Sequence, residues 1–142
     1  MAGEGDERQT RDFGDGTVGL TVGSRLLMAV GAVEGAAGVA LAAVAAHAVP
    51  SEALGNAATL LMVHAGMVVA LALLAGHIGR RAWMLRLPAA VIALGAGLFG
   101  AAVAVRVLAA PDALGGVAPV GGTLTILGWL ALLTPALFAG RR

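Results

Sequence analysis

The sequence predicts an all-α membrane protein, a bundle of four transmembrane helices running up-down-up-down. Three observations predict it. Four apolar runs, about 26–46, 57–76, 87–109 and 120–139, each supply the ~20 residues that a helix needs to cross roughly 30 Å of hydrocarbon. The chain of 142 residues is 59% hydrophobic and only 12% charged, with a mean hydropathy of +0.93, whereas soluble domains carry about 25% charged residues. A water-soluble fold would lack the polar surface to cover so much apolar side chain. The breaks between runs are short, which makes neighbouring spans antiparallel. Within lipid each run is confined to helix, because only a helix satisfies its own backbone polar groups.

Residues 1–24 read as a disordered cytoplasmic tail. Glu4, Asp6, Glu7, Asp12 and Asp15 stand there against Arg8 and Arg11, among glycines and without a helical or strand period. Such a segment cannot bury enough apolar surface to offset its ordering entropy. Residues 25–142 then form a single four-helix transmembrane domain, with no room for a second, soluble one. The first run ends in Ala43-Val44-Ala45 and Ala46-His47-Ala48, both of which mimic a signal-cleavage site. Its length of ~20 residues exceeds the 7–15 of a signal peptide, and an acidic segment precedes it, so it is read as a retained span.

Small residues govern how closely spans approach in lipid. Gly31 and Gly35 form such a pair in span 1; Ala93, Gly97 and Ala101 form a ladder in span 3, with Gly100 alongside. Span 4 opens with Pro119 and the pair Gly121-Gly122, then reaches Gly128-Trp129. Pro119 restricts the backbone at that entrance, and the glycine pair allows a turn or close packing.

Arginine placement gives the orientation. Arg8, Arg11 and Arg25 precede span 1; Arg80, Arg81 and Arg86 lie between spans 2 and 3; Arg141 and Arg142 follow span 4. The other two loops carry Glu52 and Asp112, with Arg106 near the end of span 3. The positive-inside rule therefore puts both termini in the cytoplasm, with Trp83 and Arg86 as an interfacial anchor. All nine basic residues are arginine, which fits GC-rich codon usage.

Composition also excludes chemistry. There is no cysteine, hence no disulfide or thiolate metal site. No basic run is interleaved with aromatics, so nucleic acid is not an expected partner. Neither a Gly-Lys-Ser phosphate loop nor a Gly-x-Ser-x-Gly elbow occurs.

The few polar residues within the spans are the candidate sites. Glu34 lies near mid-bilayer, where a charge costs roughly 3 kcal/mol. It reads either as a proton or cation site or as a neutral carboxyl bonded inside the bundle. His64 falls within about 10 Å of the same level on the neighbouring span, which allows a direct or water-bridged pair with Glu34. A histidine bonded to a backbone carbonyl, or to a hydroxyl such as that of Thr59, is the alternative. His47, Arg106, Glu52 and Asp112 form a candidate polar cluster at the outer surface, although Arg106 alone reads as snorkelling to headgroups. Haem or zinc on His47 and His64 is not expected. The two differ in depth and lack further ligands, so no cofactor and no metal are assigned.

These residues carry a resemblance. The chain over Arg25–Gly140 resembles the small four-span bacterial membrane proteins of YgdD/YwdK type, a family whose domain has no assigned function. That family's first span ends in Gly-Ala-Phe-Gly-Ala-His, and here the stretch reads Ala42-Ala43-Val44-Ala45-Ala46-His47. Its second span has a histidine before small residues, matched by His64-Ala65. Its third has Leu-Phe-Ser-Gly-Ser, here Leu98-Phe99-Gly100-Ala101-Ala102 without the serines. Its Pro-x-Gly-Gly…Gly-Trp block is matched by Pro119, Gly121, Gly122, Gly128 and Trp129. The resemblance implies a multi-pass protein of the bacterial inner (plasma) membrane and brings no established activity. The expected function is therefore a non-enzymatic accessory or scaffold subunit, in lipid, packing against another membrane protein or a second copy. The alternative is a proton-coupled small-molecule transporter using Glu34. Its four spans and single carboxylate in span 1 look like the small multidrug-resistance exporters, whose aromatic-lined cation site this chain lacks.

Overall fold

The computed structural model describes residues 20–138. Of the tail expected over residues 1–24, residues 1–19 lie outside the described residues, as do Arg141 and Arg142. Helix α1 spans Val22–His47, α2 Glu52–His77, α3 Trp83–Leu108, α4 Val117–Ala131 and α5 Leu133–Phe138. Four stretches are long and apolar enough to cross a membrane, α4 and α5 together making the fourth. The described residues fold as helices without a strand, and the chain is a multi-pass membrane protein.

The helices begin about one turn ahead of the apolar runs. Apolarity marks the part of a helix that sits in hydrocarbon, whereas caps mark its ends. Thr21 caps α1, its hydroxyl accepting from Ser24 N at 3.4 Å, and Ser51 caps α2, accepting from Leu54 N at 3.3 Å. Val22, Gly23 and Ser24, placed in the tail from sequence, are thus the first turn of α1. At 26 residues each, α1 to α3 are ~39 Å long, more than the roughly 30 Å of a hydrocarbon core.

Other ends follow from backbone chemistry. Gly79, at φ +56°, turns the chain just past α2, in the left-handed conformation that glycine adopts without penalty. Pro135 lacks an N–H, and its ring would strike the Ala131 carbonyl in a continuous helix. The fourth span accordingly breaks at Leu132. Pro119 does not precede span 4 but lies in the first turn of α4, where its missing N–H would have had no partner anyway.

Glycine contacts establish the directions. A Cβ on Gly31 would meet Val69 and the Ala65 carbonyl, and one on Gly38 would meet Met62 and the Ala58 carbonyl. Numbers rise on α1 as they fall on α2, so the pair is antiparallel. Gly95 lies against Thr125, and Gly128 against Ile92, so α3 and α4 are antiparallel too. Gly23 lies near Arg86, and Gly97 near Glu34, so α1 and α3 run parallel. Up-down-up-down is the result.

Helix α3 is the hub: it packs on α4, α2 and α1, whereas α1 and α4 do not pack on each other. The core sits between α2 and α3, where Val68, Leu71 and Ala75 meet Leu85, Ala89 and Ile92. Lipid is as apolar as these side chains, so close fit rather than expulsion of water holds the helices together.

Candidate functional site

Polar side chains within the spans mostly bond to their own helix. The hydroxyls of Thr59, Thr123 and Thr125 donate to the carbonyls of Gly55, Pro119 and Gly121 at 3.0, 2.9 and 3.0 Å. His64 does the same. Its Nδ1–H donates to the Leu60 carbonyl at 2.6 Å, and since a carbonyl only accepts, Nδ1 carries the proton. The His64 ring stands edge-on to Trp129, with centroids 6.1 Å apart and planes at 79°. Through this contact α2 reaches α4.

Glu34 differs, and in the first turn of α3 Arg86 Nε is likewise buried without a partner. Glu34 is 8% exposed, and its Oε2 is buried without a hydrogen-bond partner. Such an atom is costly in hydrocarbon, where no water replaces the missing bond. Its Oε1 lies against Gly97 of α3, where a Cβ would come within 2.9 Å. A side chain at residue 97 would displace the carboxyl, so Gly97 makes the room that Glu34 occupies. Glu34 forms part of the wall of a groove of about 440 Å³ between α1 and α3, together with Leu27, Val30, Ala93, Leu94, Gly97 and Leu98. No other wall residue has a polar side chain.

Glu34 and His64 share a level, since Gly35 meets Ala65 across the α1–α2 interface. They do not share a site. One side chain turns to α3 and the other to α4, so the structure does not join them as the pair that spacing allowed.

The outer residues do not converge either. His47, Glu52, Arg106 and Asp112 are all exposed at one end of the bundle. Among the described residues no group of three His, Asp or Glu side chains could hold a metal. Arg106 instead borders a separate cavity of about 350 Å³ with Ala53, Phe99, Val103 and Pro119.

The residues of the span 3 and span 4 motifs divide by direction. Gly97 faces Glu34, and Gly100 faces Leu61 of α2, but Ala101 is exposed and the ladder loses that rung. Gly121 is pressed on the α3 backbone, with a Cβ reaching Phe99 N at 2.6 Å, whereas Gly122 has nothing within 4 Å. Sequence reasoning missed Gly38, Gly95 and Thr125. Gly95 is the tightest of them, since its Cβ would lie 2.5 Å from Thr125 N.

Comparison with protein families, with curated proteins and with solved structures finds no match.

Proposed function

We propose that this small integral membrane protein is non-enzymatic and acts as an accessory or scaffold subunit, packed against another membrane protein or a second copy. The observation that carries the reading is the open side of the bundle. With α1 and α4 apart, α3 leaves Trp83, Leu87, Ala90, Leu94 and Ala101 uncovered. These recur at helical spacing along one face, and two of them are small enough to let a helix approach. The resemblance to the YgdD/YwdK-type family and the arginine distribution support placement in a bacterial inner membrane with both termini cytoplasmic.

Extraction in mild detergent tests the reading. The chain is expected to migrate within a larger assembly of fixed composition. Ala101→Trp should release it, while Val63→Trp, which enlarges an exposed position of α2, should not. Neither substitution buries a side chain, so the thermal midpoint of the chain should hold for both. Migration as a lone protomer, or release by Val63→Trp alone, would overturn the reading.

The lone carboxyl supports a second reading, proton-coupled transport through Glu34. A group that cannot titrate cannot exchange a proton for a substrate. In vesicles holding a pH dye, substrate-driven proton flux should then be present in the wild type and absent in Glu34→Gln. Equal flux in both ends this reading.

A further inference from the structure

Any apolar groove facing lipid is filled by acyl chains at no cost. What distinguishes the α1–α3 groove from plain lipid-facing surface is the carboxyl in its wall. An acyl chain brings no hydrogen-bond donor to Glu34, so it leaves the carboxyl in the groove wall without one. An occupant that displaces lipid must bring a donor to that depth on an otherwise apolar body.

We propose that the α1–α3 groove is a binding site for a lipophilic amine, with its nitrogen bonded to Glu34 and its apolar body against Leu27, Val30 and Leu94. Leu27, Val30 and Glu34 follow each other up one face of α1, with Leu94 and Gly97 opposite on α3. The site thus has a polar end and an apolar length. Its volume of about 440 Å³ lies within the ~300–1,000 Å³ of small-molecule sites. An amine also solves the charge problem. Whether the shared proton sits on nitrogen or on oxygen, the acid and the amine together carry no net charge into hydrocarbon. A bare metal cation does not fit, because it demands several oxygen ligands and the walls offer one carboxyl.

The inference rests on the second reading's use of Glu34 and names its ligand class. Binding does not require transport.

The test uses the full chain in phosphatidylcholine nanodiscs, with 2-(1-naphthyl)ethylamine as probe in equilibrium dialysis against empty nanodiscs. One saturable equivalent per chain is expected above partition into lipid. Glu34→Gln should weaken binding about tenfold or more, the loss expected when a charge-assisted hydrogen bond is removed. The amine-free analogue 1-ethylnaphthalene should not compete. Leu94 is 57% exposed, so Leu94→Trp fills the groove from its lipid side, and it should weaken binding with an unchanged thermal midpoint. That variant decides alone if Glu34→Gln does not fold. Uptake equal to that of empty nanodiscs, or binding that is intact in folded Glu34→Gln or in Leu94→Trp, overturns the site. Glu34-dependent binding without proton flux ends the transport reading and leaves the site standing.

Discussion

Adding one methyl group at Gly95 or Gly121 is expected to destabilise the protein more than the same change at any other glycine in the described spans. A Cβ on Gly95 would lie 2.5 Å from Thr125 N and 2.7 Å from the Gly121 carbonyl oxygen; on Gly121 it would lie 2.6 Å from Phe99 N. All of these are backbone atoms and cannot rotate away. The two helices must separate, and along the whole seam the close contacts that hold them in lipid are lost. Overpacking typically costs about 1–3 kcal/mol, and Gly95→Ala and Gly121→Ala belong at the upper end. Gly100→Ala should cost less. Its Cβ would meet Leu61 Cδ1 at 2.6 Å and Cγ at 2.8 Å, but these are side-chain atoms, which can shift more readily than backbone. Gly66→Ala and Gly122→Ala have nothing within 4 Å and should stay within about 0.5 kcal/mol of wild type. Thermal unfolding in one detergent checks the order. Equal midpoints for Gly95→Ala and Gly122→Ala would show that the α3–α4 seam does not hold the bundle together.

The contrast between Gly121 and Gly122 shows what was legible in the sequence. Hydropathy marks both as span residues, and both belong to one motif. Successive helical residues differ by about 100° in direction, so one is pressed on α3 and the other faces open space. Facing direction depends on how a neighbour is placed, which hydropathy does not encode. The same holds for Glu34 and His64. Counting residues along the spans put them at one level, and there they are. Direction then separates them, with Glu34 against Gly97 on α3 and His64 edge-on to Trp129 on α4. Gly97 and Gly100 were legible because they stand in a small-residue ladder within an apolar run. Gly95 was not, because in a chain this rich in alanine and glycine its approach to Thr125 leaves no local signal. The caps Thr21 and Ser51 set helix starts that apolarity alone missed. The groove itself exists only because α1 and α3, distant in sequence, run parallel with Gly97 opposite a carboxylic acid.

A reporter enzyme active only outside the cytoplasm is expected to be on when fused after Glu52 or Asp112, and off when fused after Arg81 or Arg142. The bundle geometry links these outcomes. Residues 48–51 and 109–116 join helices at one end, and residues 78–82 join them at the other, so the two sets of loops must report opposite sides. Which side is which depends on charge. Arg80, Arg81 and Arg86 cluster at the end that bears the start of α1 and Arg25, and the opposite end has Arg106 alone with Glu52 and Asp112. Arginines near span ends resist translocation, while acids contribute little to orientation. Arg86 adds to this. Its side chain lies along Gly23 at the start of α1, with Cδ 3.7 Å from the position of a Cβ there, so the arginine-rich end includes both parallel helices. Replacing Arg80, Arg81 and Arg86 together with Ala should leave the fold intact but produce a mixture of orientations, with reporter activity on both sides. The reverse pattern in the unmodified chain would overturn the arginine-based orientation. It would leave the α1–α3 groove untouched, because Glu34 lies within the span and its partners are set by helix packing, whichever end faces the cytoplasm.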